Sequence, residues 1–261
     1  MLDYISDSFY RFTPKKEYLF DNLKNGFYPR YNIENYDYLL KEYKKAGFPT
    51  TLAIPMVCFC DIPIVFINEH IKKYGNFAIA MKKEWGIKNL NPILYLTDDS
   101  IPQKKLELVQ WDLMNELKKE LSKDNDVALL KAKNMFMHYQ DFIAYLKKYK
   151  GLTENKKEVE YYREREWRWI PEVSDFDTGN DNILRLDPSD YKNIEKENEK
   201  LKRQYKLKFH PEDVDYIIVD NNESLKDVRI FLSTIDKAQL SSKIFILKDI
   251  INKRKELLND E

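Results

Sequence analysis

The run Ala53-Ile54-Pro55-Met56-Val57-Cys58-Phe59-Cys60 is uninterrupted by any charged or polar side chain, and Asp61-Ile62-Pro63 stops it abruptly. An apolar run of this length bounded by a turn reads as a buried strand. It requires a sheet around it. Phe77, Ile79 and Met81 alternate in a second strand, Pro92 to Leu96 reads as a third, and Val214 to Val219 as another. Glu84 to Ile87 and the turn at Asn89–Asn91 are expected to join the second and third. Ser8 to Phe12 alternates like a short opening strand. Thr13-Pro14 then supplies a capping hydroxyl and a proline for a helix that Gly26 ends.

Between the strand groups the period changes. Pro102 opens a segment with Leu106, Val109, Leu113 and Leu117 at helical steps. Lys123 to Asp126 breaks it, and a second helical segment is expected from Val127 towards Gly151. Asn193 to Arg203 reads as a solvated helix or loop, and Ser224 as the cap of a short helix carrying Leu225, Val228 and Leu232. Lys243 to Leu258 begins with an apolar run that periodicity leaves open between strand and helix. The fold class is therefore α+β: a central, mostly antiparallel sheet with a helical insertion at about 102–150, in one domain over 1–261.

Composition narrows the function classes. With 44 basic and 44 acidic residues the formal net charge is zero, which gives no support to a dedicated nucleic-acid binder. The basic stretch Lys131 to Lys150 is the one feature in its favour. No run approaches the roughly 18 apolar residues of a membrane span. Met1-Leu2-Asp3-Tyr4 lacks the basic-then-apolar pattern of a signal peptide, so a cytoplasmic protein is expected. Only 6 glycines stand in the whole chain, against a Gly-rich phosphate loop. Cys58 and Cys60, the two cysteines, would share one face of a strand and form only a strained bridge; buried thiols are expected. A metal site drawn from Cys58, Cys60, Asp61 and His70 lacks a second well-spaced ligand pair, and none is expected.

The segment Arg163-Glu164-Arg165-Glu166-Trp167-Arg168 carries the most chemistry. Read as a strand, it puts Glu164, Glu166 and Arg168 on one face, with the carboxylates about 7 Å apart. Such a pair repels unless a cation, water or substrate lies between, and it can divide labour between holding charge and taking a proton. The alternative is an edge strand whose charges are met by a neighbour. Arg11, between Tyr10 and Phe12, is expected to be a partly buried guanidinium. Such a group holds a phosphate or pairs with a carboxylate, one of Glu164 and Glu166 among the candidates. Arg30 could bind an anion too, though a surface loop arginine is the simpler reading.

Three stretches together resemble the AbiGi family of abortive-infection proteins: Ile54 to Pro63, His70 through Lys83-Glu84-Trp85-Gly86-Ile87, and Asn91 to Tyr95. Tyr10-Arg11-Phe12-Thr13 and Glu164 to Arg168 complete the order. The resemblance implies a part in bacterial phage defence, as an antitoxin of a two-gene system with a protein partner, its cognate toxin or target. A looser likeness, to the ADP-ribosyltransferase fold, rests on an arginine strand, a Cys-Phe-Cys strand and a Glu-x-Glu segment in that order. It implies NAD as substrate, in a transferase or NAD glycohydrolase. Arg11 would bind the phosphates, Cys60 would stand where that fold has serine, and Glu166 would bond the ribose. Glu164 would orient or deprotonate the acceptor. Thr13 and Tyr74, in the matching stretches, join the cofactor-binding set.

Overall fold

The computed structural model describes residues 6–45, 47, 49–123, 126–152, 157–171 and 192–259. Met1 to Tyr4, read above for targeting, and Asp124–Asn125 of the helix break lie outside them. The strands are β1 (Ser8–Thr13), β2 (Arg30–Asn35), β3 (Thr51–Cys60), β4 (Phe77–Lys82), β5 (Asn91–Pro92), β6 (Leu94–Leu96), β7 (Leu146–Lys148), β8 (Lys150–Leu152), β9 (Glu158–Glu160), β10 (Glu166–Trp169), β11 (Val214–Val219) and β12 (Ile244–Ile246). The helices are α1 (Lys16–Asn25), α2 (Lys41–Lys45), α3 (Asn68–Tyr74), α4 (Lys83–Asn89), α5 (Ile101–Leu121), α6 (Asp126–Ile143), α7 (Ile194–Gln204), α8 (Asn222–Thr234) and α9 (Leu247–Asn259).

The main sheet runs β12-β11-β4-β1-β3-β10-β5, with β2 added to β3. Its pairings are antiparallel except β11 with β12. The architecture is the α+β class expected, a mostly antiparallel sheet with helices packed on it. β3 explains its own sequence. Val57 and Phe59 enter one core with Phe9, Phe27 and Trp85. Ile54 and Met56 enter another with Leu39, Tyr139 and Ile143. A strand buried on both faces has no need of polar alternation. β3 also changes partners along its length. Thr51 to Met56 pairs with β2, and Val57 to Cys60 with β10. β1 pairs with β3 at Tyr10↔Cys60, and the two strands splay beyond it.

Several expectations are corrected. Thr13 ends β1 and caps nothing; α1 starts at Lys16 after Lys15, which makes no side-chain cap. Glu84 to Ile87, expected only as a connection, is part of α4, drawn helical by burial of Trp85 and Gly86 against the core. The run from Pro92 to Leu96 is divided at Ile93, Asn91–Pro92 joining β10 and Leu94–Leu96 joining β7. The second long helix stops at Ile143, and the chain continues as β7 and β8. The cap of α8 is Asn221, whose Oδ1 accepts the Ser224 N–H at 2.9 Å. The ambiguous C-terminal run is strand first, as β12 against β11, then helix.

Gly86 lets α4 lie on β1: a Cβ built there would stand 2.0 Å from the Phe9 ring. Alanine would favour the helix by about 1 kcal/mol, but overpacking a filled core costs about 1–3 kcal/mol. With an overlap this deep the steric cost wins. Gly86→Ala is expected to lower the urea midpoint of unfolding; an unchanged or raised midpoint would show that Phe9 yields freely.

Candidate functional site

Four residues after the 3-10 turn Tyr161–Glu164 dictate the site. Arg165 takes a left-handed backbone (φ 41°), which ends the turn and starts β10 at Glu166. Glu164 is therefore not on the strand, contrary to the sequence reading. Glu166 and Arg168 do share one face, and both are buried, Arg168 completely (0% exposed). A guanidinium out of water needs every available acceptor. Arg168 Nε donates to Glu166 Oε1 at 2.6 Å, NH1 to the Ala144 carbonyl at 2.5 Å and NH2 to Glu34 Oε1 at 2.8 Å.

Lys147, from β7, completes the network. Its Nζ donates to Glu166 Oε2 at 2.8 Å and to Glu164 Oε2 at 3.2 Å. It is the cation that lets the two carboxylates face one site. Glu164 also takes the Lys73 ammonium and, at 3.1 Å, the Tyr74 hydroxyl. Burial alone would raise both carboxyl groups. For Glu166 the charges of Arg168 and Lys147 outweigh it and hold the group well below the usual carboxylate range. Lys147 and Lys73 do the same for Glu164, lowering it too. Both are carboxylates at neutral pH and poor proton acceptors. Lys147 itself, which burial would lower, is pushed up by Glu166, Glu34 and Glu164.

These carboxylates line a cavity of about 340 Å³, and Arg11 lines it too. Arg11 lies where β1 and β3 splay apart. NH1 donates to the Cys58 carbonyl at 3.2 Å, and no carboxylate pairs with Arg11 among the described residues. Burial pulls its pKa down from the ordinary value, though a guanidinium remains a cation at neutral pH. Of the two alternatives for Arg11, the ion pair with Glu164 or Glu166 does not form among the described residues, since Lys147 and Arg168 already hold those groups. Arg11 keeps donors to spare, and they face a cavity.

The structure thus brings Arg11, Cys60, Tyr74, Glu164 and Glu166 to one cavity. Thr13 is elsewhere, buried at the end of β1 with its carbonyl against Gly75. Burial and then the Asp61 charge push the Cys60 thiol up; burial and then Glu166 do so for Cys58, so both stay protonated. His70, on α3, forms part of the wall beside Phe12 and Tyr74, with a buried Nε2 that has no partner among the described residues. Burial lowers its pKa, which keeps it neutral. Among the described residues no group of three or more His, Cys, Asp or Glu side chains is placed to hold a metal ion.

Sequence reasoning misses Lys147, Glu34 and the roles of Arg168 and Arg30. Lys147 lies in the basic stretch weighed above for nucleic acid, where it is instead buried on carboxylates; its neighbours Lys148 and Lys150 pair with Asp98 and Glu158. Nothing in Tyr145-Leu146-Lys147-Lys148 marks one lysine as buried. Arg30 begins β2 rather than a loop, and its NH2 contacts both Glu195 oxygens, at 2.8 and 2.7 Å. No helix among the described residues is long and apolar enough to cross a membrane.

Residues 25–220 match the family described as "Putative abortive phage resistance protein AbiGi, antitoxin". The chain is also 31% identical over 257 residues to the abortive phage resistance protein AbiGi of Lactococcus lactis subsp. cremoris, covering 86% of this chain and 98% of that protein. No solved structure matches.

Removing one member of a buried ionic network strands its partners, at a cost of about 3–5 kcal/mol. Arg168→Met is expected to cost that much in urea unfolding at pH 7, because Glu166 and Glu34 lose their shared cation. Glu166 titrates lower in the folded than in the unfolded chain, where a glutamate has a pKa of about 4.3. Its contribution is therefore complete above that value and lost as pH falls below it towards the folded pKa. The stability gap between wild type and Glu166→Gln should be constant from pH 7 to about 5 and shrink below about 4. A gap independent of pH down to about 3 would mean that Glu166 is not held as a carboxylate.

Proposed function

The chain belongs to the AbiGi family, and from that premise we propose that it acts in abortive phage resistance through a cavity that binds and cleaves NAD. The observation that carries this reading is the order of three neighbouring strands. β1, β3 and β10 set an arginine without a carboxylate partner among the described residues, a thiol strand and an ionised glutamate around one cavity. An anion has Arg11 to meet it. An electron-poor sugar carbon has Glu166.

In such a reaction the bond between the nicotinamide nitrogen and the ribose C1′ breaks, and nicotinamide leaves with the electron pair. C1′ becomes oxocarbenium-like, and a carboxylate fixed in advance stabilises that charge without reorganising. Glu166 suits this role because Arg168 and Lys147 fix it and keep it ionised. Water or an acceptor nucleophile then bonds to C1′ and gives its proton to solvent. Glu164, lowered by Lys147 and Lys73, suits orienting that acceptor better than deprotonating it. Cys60 offers a weaker hydrogen-bond partner than a serine hydroxyl, and its burial leaves it a steric part of the wall.

A second reading is a non-catalytic antitoxin whose surface neutralises a protein partner. It is favoured by the apolar side chains that α5 and α6 leave exposed, Leu108, Trp111, Val127 and Leu130 among them, which give a partner protein apolar surface to cover.

Nicotinamide release separates the two. Purified wild-type protein with NAD, with and without cell lysate as a source of acceptor, is expected to release nicotinamide. Glu166→Gln, which keeps the side chain's shape, should reduce the rate by about 100-fold or more, as loss of a transition-state charge contact does. No release, with NAD also failing to raise the melting temperature, would sink the NAD reading and leave the partner-binding antitoxin.

A further inference from the structure

We propose that Arg30 is a second anion-binding residue of this cavity, and that Arg11 and Arg30 together hold a diphosphate group while Glu195 occupies Arg30 until that group binds. The inference rests on the reading of the cavity as a dinucleotide site and adds which chemical group is recognised there and by what.

Both arginines line the same cavity but come from different strands on β3. Arg11 reaches the Cys58 carbonyl, and Arg30 stands opposite Met56 in the β2–β3 register. Because the two residues stand on different strands, their guanidiniums reach the cavity from separate backbone positions, and each can take its own phosphate. A single phosphate meets one of them well and the other poorly. Burial chiefly lowers the pKa of Arg11, and the positive charge of Arg30 adds a smaller contribution in the same direction. Like charges converging on a cavity are relieved by an anion between them.

Glu195 is that anion for Arg30 alone, and only loosely. One nitrogen of Arg30 serves both carboxylate oxygens, and the side chains are 52% and 74% exposed. Exposed pairs of this kind contribute only about 0–1 kcal/mol. A phosphate offers charge-assisted bonds to a second guanidinium as well, so exchange of Glu195 for phosphate is favourable. Glu195 lies in the first turn of α7, where backbone N–H groups favour negative charge. Its departure leaves that helix end at the cavity rim, which Ile194 and Asn198 also line.

Calorimetric titration of the full chain with inorganic pyrophosphate and with orthophosphate, at low salt, tests the site without any reaction. Wild type should prefer pyrophosphate. Arg30→Gln should weaken pyrophosphate about tenfold, with the melting temperature unchanged because the residue is exposed. Glu195→Gln should strengthen it by up to about fivefold, since Arg30 is then free. Pyrophosphate bound no better than orthophosphate, or equally by Arg30→Gln and wild type, overturns the proposal; so does weaker binding by Glu195→Gln. Nicotinamide release is read separately. Pyrophosphate binding that depends on Arg30, in a protein that releases no nicotinamide, keeps the site and removes the reaction. Release indifferent to Arg30→Gln does the reverse.

Discussion

Arg168 has no contact with solvent, and its charge is met by atoms from three places: Glu34 on β2, the Ala144 carbonyl after α6, and Glu166 on its own strand. Desolvating a charge costs several kcal/mol even after relaxation, and well-packed apolar residues in place of the whole ionic network, not of Arg168 alone, would serve stability as well or better. What the guanidinium provides is geometry. It can be satisfied only when β2, β10 and the end of the helical hairpin are all in register, so the segments that wall the cavity are assembled around one cation. Glu166 inherits its position from that requirement.

The charges around the cavity follow from the same logic. Glu34 has Arg168, Glu166 has Arg168 and Lys147, Glu164 has Lys147 and Lys73, and Glu195 has Arg30. Among the described residues that line the cavity, Arg11 is a cation left without a carboxylate. A positive group under-used by its own protein, at the point where β1 and β3 separate, is a different thing from a buried ion pair, which is usually complete in itself. The paired groups set the shape of the site, and the unpaired one leaves it a positive charge that its own carboxylates do not meet.

How much of this the sequence discloses depends on whether burial is apolar or ionic. β1, β3, β4 and β11 are legible because their apolar side chains face a core, and the α+β class follows from them. β2, Arg30-Tyr31-Asn32-Ile33-Glu34-Asn35, is not legible as a strand, since Tyr31 is its one buried side chain. The segment 163–168 stands out by its charges, yet its backbone does not follow them: alternation predicts a strand through Glu164, and the left-handed Arg165 breaks it. Lys147 is invisible because a buried lysine looks like an exposed one until its carboxylates are placed in space. Arg11, Cys60, Tyr74, Glu164 and Glu166 are gathered by the order of motifs, and that order is also the order in which β1, β3 and β10 lie side by side.

The pairing of Glu166 would ordinarily argue for a structural residue, since both oxygens already accept a bond from a cation. A carboxylate has lone pairs beyond those two, so pairing and ligand contact are compatible in number. The field is the stricter test. Two adjacent cations weaken the attraction that Glu166 offers a developing positive centre, but without them burial would protonate it and leave no charge at all. Glu164 adds a second negative charge nearby, and Lys147 is shared between both. The arrangement therefore gives up some electrostatic strength to keep a buried carboxylate ionised and fixed.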